Sequence, residues 1–248
     1  MKIKKLLTIK KKNSGRDSSG QISVRHRGGE QKRFLREIDW NRNVLDIKAK
    51  VMWIGYDPNR TAPIALIGYE NGKKAYILAS SNLKVGDSII SNDNAPIKDG
   101  NCVALKNIPV GIPIHGLAYE LGKAAQLVKG AGSAAFVQSI EGDKATVKLP
   151  SGEIRIFNAN IKATIGQVGN VDHSNQKLTK AGQKRLRGFR PSVRGVAQHP
   201  DSHPHGGGEG RSSIGMNPKT PWGKPAMGKK TRQKKKHSNR LIVSRRKK

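Results

Sequence analysis

The sequence predicts a mostly β protein: small antiparallel barrels or sandwiches held between two strongly basic arms. Three observations carry that expectation. Apolar segments in the centre are short and separated by turn dipeptides. Charge is segregated toward the two ends. Only 35% of the 248 residues are hydrophobic and 4% aromatic, too few for one large apolar core.

The arms come first. Residues 1–36 carry 12 basic and 2 acidic side chains, a net of +10. Residues 37–175 carry 15 and 13, a net of +2, and residues 176–248 carry 21 and 2, a net of +19. A total of +31 predicts a polyanionic partner, with nucleic acid the leading candidate. Each arm repels itself and has little apolar surface to bury, so it is expected to order only on a polyanion. The opening MKIKKLLTIKKK has an apolar stretch too short for a secretory signal and no Arg before Arg16, so it reads as part of the working protein. No apolar run approaches the roughly 20 residues that cross a bilayer. One cysteine, Cys102, excludes an internal disulfide framework and a Cys-based zinc module.

Strands are expected at 47–56, 64–69, 75–79 and 88–90, then at 103–108, 112–117, 134–140, 145–149 and 153–157. Asn71-Gly72, Gly86-Asp87, Gly142-Asp143 and Pro150-Ser151-Gly152 stand between them and supply tight turns. A seam near Asp99-Gly100 divides this body into 37–98 and 99–175. One helix is expected over 175–187, with Leu178, Ala181 and Arg185 on one face and Gly188 as its stop. The rest of 176–248 is read as an extended basic tail.

Three stretches could carry chemistry. In 23–33, Arg25, Arg27, Lys32 and Arg33 flank Gly28-Gly29, where bare backbone can approach a phosphate and the guanidinium fork can grip it. In 188–197, Pro191 restrains Arg190 and favours an extended strand, with Arg190 and Arg194 as phosphate ligands. In 199–211, three histidines, Asp201 and Glu209 raise metal and acid–base readings. Pro200 and Pro204 forbid the helix that would align two histidine ligands, and no companion nucleophile is evident. The better local reading is a glycine loop that meets an anionic surface with Arg211, while His203 and His205 stack on or hydrogen-bond to bases. Near 223–231 a Walker-type phosphate loop fails, because Lys230 follows Gly228-Lys229 and Thr231 comes one place late.

At these residues the chain resembles the universal large-subunit ribosomal protein two family, of bacterial and organellar type. The matching stretches are SGRDSSGQISVRHRGG (14–29), YDPNR (56–60), NIPVGIPIH (107–115), LPSGEIR (149–155) and TIGQVGNVDHS (164–174). GFRPSVRGVA (188–197), HPHGGGEGR (203–211) and the tail from TPWGKP (220–225) continue the match. The resemblance implies an oligonucleotide-binding-type β-barrel followed by an SH3-like β-barrel, with basic extensions in large-subunit rRNA. It further implies roles in subunit association, tRNA binding and assembly of the peptidyl-transferase centre, with no enzymatic activity and no catalytic or metal residue.

Carried over residue by residue, the rRNA-binding set is Arg16, Arg25, His26, Arg27, Lys32, Arg33, Arg60, Arg190, Arg194, His203, His205, Arg211, Lys224, Lys229 and Lys230. Gly206, Gly207, Gly208, Glu209 and Gly210 form the loop of close approach to the peptidyl-transferase centre. Implied partners are large-subunit rRNA, neighbouring ribosomal proteins and the small subunit across the interface, with no membrane and no free homo-oligomer. No cofactor is implied beyond Mg2+ carried by the rRNA. The sequence departs from the family pattern at Glu30-Gln31, at Leu186 in place of a bacterial tryptophan, and over 198–202. A late start and low arginine-to-lysine usage near it point to the mitochondrial matrix rather than bacterial cytoplasm or plastid. A non-ribosomal RNA-binding or RNA-chaperone module is the alternative, separated by co-sedimentation with large subunits.

Overall fold

The computed structural model describes residues 3–246. The chain folds as two compact units, one holding residues up to 10, 32–177 and those from 237 on, the other 11–31 with 178–236. In this division residues 3–10 and 237–246 go with the barrels.

In that unit β1 (Leu7–Ile9) pairs antiparallel with β2 (Phe34–Arg36), Leu7 opposite Arg36. Then β3 (Ala49–Gly55), β4 (Ile64–Tyr69), β5 (Lys74–Leu78) and β6 (Ser88–Ile89) make a four-stranded antiparallel sheet in the order β5-β4-β3-β6. The run IALI in β4 has no polar alternation because both of its faces are covered. Ala65, Ile67 and Tyr69 pack with Ala49, Val51, Ile77 and Ile89. Ile64 and Leu66 turn the other way, onto Tyr76, Leu78 and Val168, with Ile3, Leu6, Ile38 and Trp40 packed against them. A register shift between Val51 and Trp53 lets β3 serve both clusters.

The second barrel begins with β7 (Cys102–Ala104), β8 (Pro113–His115), β9 (Leu117–Ala118) and β10 (Ala125–Leu127). It continues through β11 (Ala135–Glu141), β12 (Lys144–Lys148), β13 (Ile154–Asn158) and β14 (Lys162–Ile165), and gains β15 (Ile242–Ser244) from the far end of the chain. The order β15-β13-β12-β11-β8-β14-β7 curls around Val103, Ile114, Val137, Val147, Phe157 and Ile165, while β9 and β10 pair separately. The fold is thus mostly β, with an oligonucleotide-binding-type barrel followed by an SH3-like barrel.

The nine expected strands are all present, 64–69 with its bounds unchanged and the others shifted or shortened. The expected 103–108 strand stops at Ala104 and turns through a 3-10 segment, Leu105–Asn107. The 112–117 strand splits at Gly116 into β8 and β9. The expected 175–187 helix contracts to α1 (Ala181–Leu186), and Val171–Asn175 forms a 3-10 turn instead. Lys180 at the helix start makes no side-chain cap, and no residue of α1 is buried, so nothing supports a longer helix. Gly188 does stop the turn, at φ +92°.

Candidate nucleic-acid interface

The two basic arms meet each other in the second unit. The backbone of 14–29 is a series of turns. Asp17 Oδ1 accepts from Ser19 N and Gln21 N, each at 3.0 Å, and from Ser19 Oγ at 2.7 Å. The hydroxyl bond from Ser19, with the two backbone N–H groups, holds its carboxyl below the usual range. Arg16 Nη1 donates to Gly20 O at 2.7 Å, closing the same turn. Farther on, Gly28 N donates to Gly188 O at 3.1 Å and Arg190 N to His26 O at 3.0 Å, so 26–28 and 188–190 run together as an antiparallel bridge. The Arg27 guanidinium lies 4.3 Å over the Phe189 ring, and Gln31 N reaches Leu186 O at 3.0 Å. Two segments that the sequence presents as separate phosphate grips are therefore one structure.

The 199–211 loop is built around its histidines. His203 is only 8% exposed, and its Nδ1 accepts from His205 N at 3.0 Å. His205 Nε2 accepts from Lys219 N at 2.7 Å, which places the proton of a neutral ring on Nδ1. The two rings sit 5.2 Å apart. Gly206 passes so close to 198–199 that a Cβ there would stand 2.5 Å from Gln198 O. Gly207, Gly208 and Gly210 all have positive φ. His203 is thus turned inward and His205 is half-buried and bonded within the loop. Both side chains shape the loop, which leaves Glu209 and Gly210 exposed.

Arg25, His26, Arg27, Lys32, Arg190, Arg194, Arg211, Lys224, Lys229 and Lys230 are all exposed, as is Arg16. Two predicted cations are committed inside the barrel unit. Arg33 Nη1 donates to Pro58 O at 2.9 Å. Arg60 Nε lies 2.6 Å from Oδ2 of the fully buried Asp57, whose Oδ1 takes Arg36 Nη1 at 3.0 Å. Arg60 also lies over Trp40, 5.5 Å from the ring centre, and Lys129 Nζ lies 4.5 Å from it. Lys129 escapes sequence reasoning because nothing around residue 129 is basic. The exposed ring of Trp222 escapes it too, although a tryptophan amid lysines is a usable signal.

The barrels meet in a seam of backbone and side-chain hydrogen bonds. Gly169 N donates to Ala79 O at 3.0 Å, and Arg42 Nη2 to Gly100 O at 3.2 Å. His115 Nδ1 donates to Gly166 O at 2.8 Å, and burial pulls the pKa of this histidine down to about 4. Among the described residues, no group of three or more His, Cys, Asp or Glu is placed to hold a metal ion. No helix of the described chain is long and apolar enough to cross a membrane.

Charge completes the picture. The unit of 11–31 and 178–236 holds 20 basic and four acidic side chains, a net of +16 in 80 residues. None of its hydrophobic side chains is buried. Small barrels joined to a basic, coreless unit of this kind define a nucleic-acid-binding protein. Two family models agree and narrow the class: "Ribosomal Proteins L2, RNA binding N-terminal domain" matches residues 3–91, and "Ribosomal Proteins L2, C-terminal domain" matches residues 98–223. The chain belongs to the ribosomal protein L2 family, RNA-binding structural components of the large ribosomal subunit.

Proposed function

We propose that this chain anchors itself in large-subunit rRNA through residues 11–31 and 178–236, and thereby supports subunit association, tRNA binding and assembly of the peptidyl-transferase centre. The observation that carries this reading is a net +16 over 80 residues without one buried hydrophobic side chain. Ordering a backbone costs about 1–2 kcal/mol per residue, and this unit has no apolar core to offset that cost. Phosphate neutralisation offsets it instead, with the steep salt dependence of counterion release. Folded rRNA offers shape, 2′-hydroxyls and unpaired bases rather than a readable groove, which suits a looped and turned surface. The barrels, joined through their seam, act as the rigid base.

The glycine loop 206–210 contributes thin backbone that can come close to the peptidyl-transferase centre. Its histidines hold that loop in shape and take no proton from a substrate, so the role is positional. Neighbouring ribosomal proteins and the small subunit are the protein partners, the chain does not form a free homo-oligomer, and Mg2+ enters only with the rRNA. The mitochondrial matrix is the proposed compartment, on the low arginine-to-lysine usage near the start.

The test replaces Arg25, Arg27, Arg190 and Arg194 together by Gln and follows incorporation into large subunits through a high-salt wash. Loss of the variant from washed subunits is expected. Full incorporation with normal peptide transfer contradicts the proposal.

A further inference from the structure

Trp222 is 72% exposed at the end of a short hairpin. Lys219 bridges Pro225 in antiparallel register, Thr220 N donates to Lys224 O at 2.8 Å, and Ala226 N donates to Pro218 O at 2.8 Å. Gly223 N closes the tip on Thr220 O at 2.9 Å. The hairpin is tied at its base to the glycine loop, since Lys219 N is the donor to His205 Nε2. In this hairpin the indole therefore stands at the tip, with exposed Lys219 and Lys224 on the two legs.

Nothing in the fold needs that ring. No hydrophobic side chain of its unit is buried, and a turn tip accepts many smaller polar residues. A large aromatic face left in water on a tip whose two legs carry exposed lysines suits a ligand that is flat, polarisable and anionic at its edges. Unpaired nucleotides have that form: the base stacks on the ring and the flanking phosphates meet the lysines. A protein partner is the poorer fit, because lysine is depleted from the dry centres of protein interfaces.

We propose that Trp222 is a stacking platform for one unpaired RNA base, with Lys219 and Lys224 receiving the phosphates on either side. This rests on the RNA-binding reading above and names the nucleotide state that the tail selects.

The test measures binding of the full chain to a roughly 12-nucleotide oligoadenylate and to an RNA duplex of equal length, by fluorescence anisotropy at fixed salt. Trp222→Ala is expected to weaken single-strand binding about tenfold, from the removal of one stacked base, and to leave duplex binding within about twofold. Trp222→Phe keeps an aromatic face and is expected to retain most of the single-strand affinity. Equal affinities of parent and Trp222→Ala for the single strand overturn the platform, as does an equal loss on both RNAs. Failure of the parent to bind either RNA overturns the RNA-binding reading itself.

Discussion

Asp57 shows how much a single side chain carries here. It is fully buried, and it faces Arg36 and Arg60 at once while accepting Asn59 N at 3.2 Å. Asp57→Asn preserves shape and removes the charge, leaving two guanidinium groups against a neutral amide. Breaking a buried pair from one side costs about 3–5 kcal/mol, so urea unfolding of this variant should show a loss of that order. A loss below about 1 kcal/mol would mean that the clamp is not a structural element. His115 makes a second prediction at this scale. Burial is the main cause of its low pKa of about 4, opposed by its bond to Gly166 O and reinforced by the charge of Arg42. In the unfolded chain a histidine titrates near 6.5, so on acidification the unfolded state takes up the proton first. The contribution of His115 is therefore complete above about pH 6.5 and is lost as pH falls toward 4, by about 3 kcal/mol in all. Unfolding curves at the two ends of that window should differ less in His115→Gln than in the parent. An identical difference would contradict the assignment.

At the scale of elements, the edge of the second barrel depends on residues that lie far away in sequence. β15 covers β13, with Ser244 opposite Ile154 and Ile242 opposite Arg155. Truncation before Ile242 should leave the barrel folded and free that edge. Hydrogen exchange should then rise at least about tenfold in β13 and stay unchanged in β4. Unaltered protection in β13 would show that β15 adds nothing to the edge. This strand was not legible in the sequence, and the reason is physical. A three-residue strand such as Ile242–Ser244 or Leu7–Ile9 has too few positions to show alternation, and its partner is non-local. By contrast, β3 to β5 and β11 to β13 declare themselves through apolar runs joined by tight turns, which are local signals. The same distinction separates the composition of the interface from its geometry. Arg25, Arg27, Arg190 and Arg194 could be picked out one by one, and all four are exposed cations. The bridge from Arg27 to Phe189 joins segments with no periodic pattern, so their pairing could not be read. The inward turn of His203 was hidden for a similar reason, since it depends on the close passage of 206 past 198–199.

Over the whole molecule, the charge of +31 divides into +15 on the barrel unit and +16 on a unit less than half its length. The barrel unit holds all of the buried apolar side chains of the described chain, and the smaller one holds the denser charge. In the proposed function this division separates stability from binding: the barrels hold their seam, and the basic unit completes its order on RNA. Binding to large-subunit rRNA should accordingly weaken steeply with salt. The Gln variant at Arg25, Arg27, Arg190 and Arg194 should flatten the slope of log K against log salt by about 0.7–0.9 for each phosphate that is no longer neutralised. An unchanged slope would mean that other cations neutralise the phosphates. The central claim is met most directly by hydrogen exchange on the free chain and on the same chain within large subunits. Amides of 11–31 and 178–236 should exchange rapidly when free and become strongly protected in the subunit, while those of β3 to β5 and β11 to β13 stay protected in both. Equal protection of 11–31 and 178–236 in the two states would contradict it.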